Sequence, residues 1–246
     1  MLSLFKRSRT ALTASFPENF VDIHSHILPG IDDGAKTLED SIKLIKKMHS
    51  YGISNFRATP HIMEDVWENT PEIIQQKLQE VKTAILKEQL TGITIKAAAE
   101  YMLDANFEKL LNEKKLLTLK DNYLLIEMSY LNPPVNLYDI LFKIQVAGYQ
   151  PILAHPERYN FLHSNFNEYH KLKNAGCLFQ LNLLSLSNYY GKSVHHIAIQ
   201  LLEQQLIDFV GTDTHHQRHL EQLEKINKKK VLRLVTPLLK NNSKLL

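Results

Sequence analysis

Seven short apolar runs punctuate the chain, at 20–23, 53–59, 93–99, 123–127, 151–154, 178–181 and 207–211. Most are continuous rather than alternating, the pattern of strands buried on both faces of a parallel sheet. Between them lie stretches of helical period with readable ends. Thr37-Leu38-Glu39-Asp40 has the form of a capping box, Ile42, Ile45 and Met48 follow at helical spacing, and Gly52 stops the run. Thr70-Pro71-Glu72 opens a second helix, with proline in the first turn where its missing N–H does no harm. Another helix starts at Asn136 and Asp139 and ends at Gly148; the next starts at Ser193 and runs through His196, Ile199 and Leu202. The stretch 217–239 reads as one basic amphipathic helix, its Lys228-Lys229-Lys230 run a solvated face. Composition does not shift along this alternation, so one α/β domain is expected over 20–246. Closing seven parallel strands into a barrel is the economical arrangement. An open doubly wound sheet is disfavoured, because no Gly-rich phosphate loop follows any strand.

Composition narrows the setting. A chain of 246 residues can bury a full core, and its net charge of +3 is too small to argue for nucleic acid or an anionic membrane. The single cysteine, Cys177, permits no intramolecular disulfide and no thiolate metal cluster. The residue six positions on is Leu183, so the Cys-x5-Arg arrangement of thiol-based phosphatases is absent. No window is long and apolar enough to cross a bilayer. Residues 1–19 mix Lys6, Arg7 and Arg9 with scattered apolar positions and lack the form of a signal peptide. They are expected to be a flexible segment preceding a domain in a cytoplasmic protein.

The chemistry lies at the ends of the apolar runs. The first ends in His24-Ser25-His26, whose two imidazoles fall on one face of a strand, and leads into Asp32-Asp33-Gly34. The second ends in His61, the third in Glu100, the fourth in Glu127 and the fifth in His155, with Arg158 three residues on. Asn182 closes the sixth, and Asp213-Thr214-His215 follows the seventh. In a parallel barrel all these ends share one rim, where such folds place their sites. Imidazole and carboxylate without thiolate suit Mn²⁺, Fe²⁺ or Zn²⁺. So many donors exceed the needs of one ion, and two or three clustered ions fit better. Arg158 can pair with two phosphate oxygens, or with Glu157 or another rim acid. Arg218, in the loop after the last pair, is a candidate substrate contact. His216, His219, His195, His196, His163, His170 and His49 have no strand-end argument and read as surface or helix residues.

In order, Asp22-Ile23-His24-Ser25-His26, Asp32-Asp33-Gly34, Thr59-Pro60-His61, Ala99-Glu100, Ile126-Glu127, His155-Pro156-Glu157-Arg158-Tyr159 and Asp213-Thr214-His215 resemble the motifs of the PHP superfamily of metal-dependent phosphoesterases. Within it, the chain resembles the CpsB/CapC-type bacterial tyrosine-protein phosphatases of capsule and exopolysaccharide biosynthesis. The resemblance implies a PHP-type, distorted (β/α)7 barrel holding up to three ions, with Mn²⁺ favoured. By motif, it makes His24, His26, Asp33, His61, Glu100, Glu127, His155, Asp213 and His215 the metal ligands. It makes Arg158 the phosphate-binding arginine; Arg158, His61, Asp213 and His215 are the catalytic set. The implied reaction is phosphomonoester hydrolysis by a metal-bridging hydroxide. The implied substrate is phosphotyrosine in the tail of a membrane tyrosine autokinase. The loop Ile62-Met63-Glu64-Asp65 is acidic where some relatives are basic, which puts the peptide preference in question. A small-molecule phosphatase acting on a histidinol phosphate-like substrate and a non-catalytic kinase-binding module are the competing readings. Self-association through exposed helical faces is left open.

Overall fold

The computed structural model describes residues 11–246. Among the described residues nine strands, all paired in parallel, form two sheets. The first contains β1 (Val21–Asp22), β2 (Asn55–Ala58) and β4 (Thr94–Ala97) in the order β1-β2-β4. The second contains β3 (His61–Ile62), β5 (Glu100–Met102), β6 (Tyr123–Glu127), β7 (Gln150–Ala154), β8 (Leu178–Asn182) and β9 (Phe209–Gly211), in chain order. The second and third expected runs hold β2 and β4, and a further short strand, β3 or β5, follows just past the end of each. Pro60 has no N–H to give to a ladder, and the break falls there. Bonds from the Ala98 amide to Ala58 (2.8 Å) and from the Glu100 amide to Pro60 (3.0 Å) carry the pairing across it. Counted as continuous staves, the nine strands are seven.

The staves close on themselves. Ser25 and Thr214 form a parallel bridge; Asp213 donates to the His24 carbonyl (2.7 Å) and His26 to Thr214 (2.9 Å). Below that point a side chain replaces the ladder. Asn242 donates to the carbonyls of Val21 (2.8 Å) and Val210 (2.6 Å) and accepts from the Val210 amide (3.1 Å). The distorted seven-stave barrel is complete, with the C-terminal segment as part of its seam.

Alternation along the staves separates two cores. Leu124, Ile126, Leu153, Phe179 and Leu181 face outward into the larger one, beneath the helices, whereas Leu125, Ile152, Ala154 and Phe209 fill the barrel. Inward positions change character along the axis: Leu125 precedes Glu127 on β6, and Leu178 precedes Gln180 on β8. The barrel is thus apolar at one end and polar at the other.

Helices α1 (Leu38–Ser50) and α2 (Pro71–Lys87) begin where their caps stand: Thr37 accepts from the Asp40 amide and Thr70 from that of Ile73. Next come α3 (Ala105–Glu113), α4 (Leu137–Val146), α5 (Asn160–His163), α6 (Asn167–Asn174) and α7 (Lys192–Glu203). The single helix expected over 217–239 is two, α8 (Gln217–Leu223) and α9 (Lys229–Asn241). Ile226, between them, is buried and its carbonyl accepts from the Leu12 amide at 2.8 Å. Of the segment expected to be flexible, residues 1–10 with Lys6, Arg7 and Arg9 lie outside the described residues. Residues 11–19 are held against the barrel: Leu12 is fully buried and the rings of Phe16 and Phe20 lie 4.7 Å apart. No helix among the described residues is long and apolar enough to cross a membrane.

Candidate metal centre

The nine side chains singled out as ligands meet at the polar mouth of the barrel. They fall into four overlapping groups whose donor atoms lie within 4.8 Å of one another: His26, Asp33, His61 and His215; His24, His26 and Asp213; His24, Glu100 and His155; His61, Glu100 and Glu127. Glu100 sits at the centre, Oε1 3.0 Å from His155 and Oε2 3.1 Å from His24 and 3.2 Å from His61. Two backbone features bring the staves this close. A Cβ on Gly34 would stand 2.1 Å from the His26 carbonyl, and one on Gly211 would stand 2.6 Å from the His24 Cβ. Only glycine fits either place. His155 (φ 35°) and Asp213 (φ 49°) take the left-handed conformation that non-glycine residues avoid, which turns their side chains out of the strand direction at the mouth.

The hydrogen bonds behind the imidazoles fix what they present. His24 Nδ1 donates to Gln180 Oε1 (2.7 Å), His26 Nδ1 to Asp32 Oδ2 (2.8 Å) and His215 Nδ1 to the Asp213 carbonyl (2.9 Å). Each ring is left with an Nε2 lone pair aimed into the cluster, the arrangement that orients histidines toward metals. The Nε2 atoms of His24 and His26 stand 3.2 Å apart. Buried His61 Nδ1 and Glu127 Oε1 face each other at 2.8 Å without the geometry of a hydrogen bond. Facing lone pairs, clustered carboxylates and orphaned buried atoms are together what divalent cations satisfy, so the donor set fits a multi-ion centre.

Electrostatics point the same way. Burial opposes charge on Glu100 and Asp213, yet the neighbouring imidazoles hold both carboxyls well below the usual range. Burial likewise opposes the charged ring of His61, but Glu127 and Glu100 outweigh it and raise its pKa to about 9. Without a cation, protonated imidazoles are the counter-charge. His155 is the exception: burial and the Arg158 guanidinium both lower its pKa.

Arg158 pairs with Asp213 Oδ2 at 2.8 Å, not with Glu157. Its guanidinium carbon lies 4.2 Å from the ring centre of Tyr190 and 4.8 Å from that of Tyr130. Glu157 is fully buried instead, accepting from the Asn182 amide (3.0 Å) and Ser185 Oγ (2.7 Å), and burial raises its pKa to about 7. Arg218, expected to contact substrate, is exposed in the first turn of α8 and does not line the cavity. The next residue, His219, turns inward: it is buried and accepts from the His215 amide at 3.2 Å. His219 is thus a helix residue, one of the two readings expected of it, but it faces inward rather than toward solvent. The mouth opens on a cavity of about 940 Å³.

A family model described as capsular polysaccharide synthesis, CpsB/CapC, matches residues 20–245. The tyrosine-protein phosphatase YwqE of Bacillus subtilis is 32% identical over 197 residues, 80% of this chain and 77% of its own length. The tyrosine-protein phosphatase CpsB of Streptococcus pneumoniae is 33% identical over 204 residues, 80% and 83% of the two chains. A chain from a crystallographic study of these two proteins, described there as unique metal-dependent tyrosine phosphatases, superposes with a TM-score of 0.77 at 29% identity. That match covers 90% of this chain and 94% of the other.

Proposed function

The chain belongs to the capsular polysaccharide synthesis CpsB/CapC family, and from that membership we propose its reaction and substrate. It is a metal-dependent tyrosine-protein phosphatase. The substrate we assign is phosphotyrosine in the tail of a membrane tyrosine autokinase of capsule synthesis, and the cofactor two or three Mn²⁺ ions. The observation that carries this reading is the convergence of nine imidazole and carboxylate donors, their lone pairs turned inward, beside an arginine that borders the cavity.

Bound at the cluster, divalent cations would lower the pKa of a water and neutralise phosphate charge. The chain's own residues do the rest. His24, His26, Asp33, His61, Glu100, Glu127, His155, Asp213 and His215 would hold the cations. Asp32 and Gln180 fix the tautomers of His26 and His24. Arg158, its guanidinium held close to two tyrosine rings and tied by one nitrogen to Asp213, turns its remaining N–H groups to the non-bridging oxygens. Asn182 Nδ2 donates to the same Asp213 oxygen at 2.6 Å and fixes that carboxylate. A tyrosyl leaving group, with a conjugate-acid pKa of about 10, needs less proton assistance than a serine alkoxide.

The test pairs elemental analysis of the purified chain with turnover of a tyrosine-phosphorylated kinase tail and of histidinol phosphate, each with Mn²⁺ and with chelator. Metal-dependent turnover of the tail is expected. Preference for histidinol phosphate would move the reading to a small-molecule phosphatase, and inertness toward both, metal loaded, to a binding module.

A further inference from the structure

The chain's only tryptophan stands in the wall of the cavity. Trp67 closes a hairpin that begins at Met63, directly after β3, with Met63 and Trp67 exchanging backbone bonds at 3.0 and 2.9 Å. Asp65, at the tip, takes a φ of 61°. The hairpin is tied to the cation site. Asn69 Nδ2 donates to the carbonyls of His61 and Ile31, both at 2.8 Å, and the Glu64 amide donates to Asp104, the N-cap of α3. The backbone at Trp67 thus has a fixed place relative to His61.

In the ring of seven staves the hairpin follows the second and Arg158 the fifth, so the two stand on opposite sides of the mouth. The sides differ in chemistry. On the Arg158 side, Tyr130 and Tyr190 are engaged with the guanidinium. On the hairpin side, Met63, Val66 and Trp67 line the cavity beside the acids Glu64 and Asp65, and Val66 is 57% exposed. Those acids repel a phosphate, which belongs with Arg158 and the cations; a neutral ring is what the hairpin side accepts.

We propose that Trp67 is the platform for the tyrosyl ring and so a determinant of selectivity for aryl over alkyl phosphoesters. With its phosphate beside Arg158, an aryl ester spans the mouth and lays its ring on the indole. A seryl or threonyl ester has no ring to do so. The inference rests on the phosphotyrosine reading of the site, and its test separates the two.

The metal-loaded full chain is compared with Trp67→Ala and Trp67→Phe. Trp67→Ala raises KM for a phosphotyrosine peptide and weakens inhibition by phenylphosphonate about three- to tenfold, the worth of one aromatic pair. Inhibition by inorganic phosphate, which has no ring, shifts far less, and Trp67→Phe restores most of the loss. In the unmodified chain, phenylphosphonate changes tryptophan emission with the constant at which it inhibits, and methylphosphonate leaves the emission unchanged. Equal weakening of phosphate and phenylphosphonate would make Trp67 a structural residue, and unchanged emission during inhibition would remove the platform. A chain inert toward phosphotyrosine whose emission still responds to phenylphosphonate would overturn the assigned substrate and leave the ring site standing.

Discussion

At the mouth of the barrel nine side chains suited to cations face one another, whereas at the closed end one buried cation faces no anion. Arg57, on β2, is 1% exposed; its Nε donates to the Leu119 carbonyl (2.8 Å) and its Nη2 to that of Leu245 (2.7 Å). Nη1 has no partner, and no carboxylate pairs with Arg57 among the described residues. Both ends therefore hold buried polar groups that the protein's own partners leave incomplete. They differ in convergence. The donors at the mouth point at common centres and complete one another only through a ligand. The guanidinium at the closed end points at the backbone of Leu119 and Leu245 and pins the C-terminal segment into the barrel floor. Uncompensated polarity marks a site where it converges and a plug where it is solitary.

The contrast breaks first, and most, at Glu100, which serves two of the four donor groups. Glu100→Gln keeps the shape and removes the charge. Turnover is expected to fall by on the order of 10³, with metal content falling in parallel. Excess Mn²⁺ should raise the melting temperature of the parent chain through binding to the folded state and leave that of Glu100→Gln nearly unmoved. A variant that still binds its full complement of metal would show that Glu100 is a bystander among the acids.

The reverse experiment is Arg57→Ala. Two carbonyls lose their donor and a gap opens in the floor, a loss of about 3 kcal/mol in stability. Urea unfolding of the metal-loaded chain measures it. The Mn²⁺-induced gain in melting temperature should persist, because the mouth is untouched. If this variant loses metal as readily as Glu100→Gln, the two ends are not independent.

A subtler change at the mouth comes third. Asp32→Asn leaves every donor in place but exchanges the carboxylate behind His26 Nδ1 for an amide. Metal affinity should weaken roughly 10- to 100-fold with little change in unfolding, as read by chelator competition. Unchanged affinity would mean that the Asp32 carboxylate does not tune the ring.

These two ends were not equally legible in the sequence. Each inward donor terminates an apolar run, so His24, His61, Glu100, Glu127 and His155 could be read from strand periodicity alone. Their supports could not. Gln180 reaches His24 across 156 positions, a pairing that depends on barrel closure. Arg218 faces outward and His219 inward because a helix turns about 100° per residue, and which side of α8 meets the barrel is set by packing that the sequence does not display. The break between α8 and α9 follows from Ile226 being drawn inward to meet Leu12, another distant contact. Arg57 carried no signal, since a charged residue within a short strand reads as an exposed one until the floor beneath it is known.

The smallest effect is the most discriminating for the closed end. Arg57→Met keeps most of the volume and deletes the charge. Two opposing quantities then compete: Leu119 and Leu245 each lose a hydrogen bond, and a desolvated guanidinium with an unsatisfied Nη1 is no longer buried. Lost bonds to a charged donor are worth about 1.5–3 kcal/mol each, while removing an uncompensated buried charge returns several kcal/mol. The two nearly cancel, so Arg57→Met is expected to change stability by about 1 kcal/mol or less. If methionine costs as much as alanine, packing is not what the floor requires. The guanidinium then stabilises the C-terminal plug in its own right, and the solitary cation is as fully accommodated by its carbonyls as the mouth's donors would be by their ions.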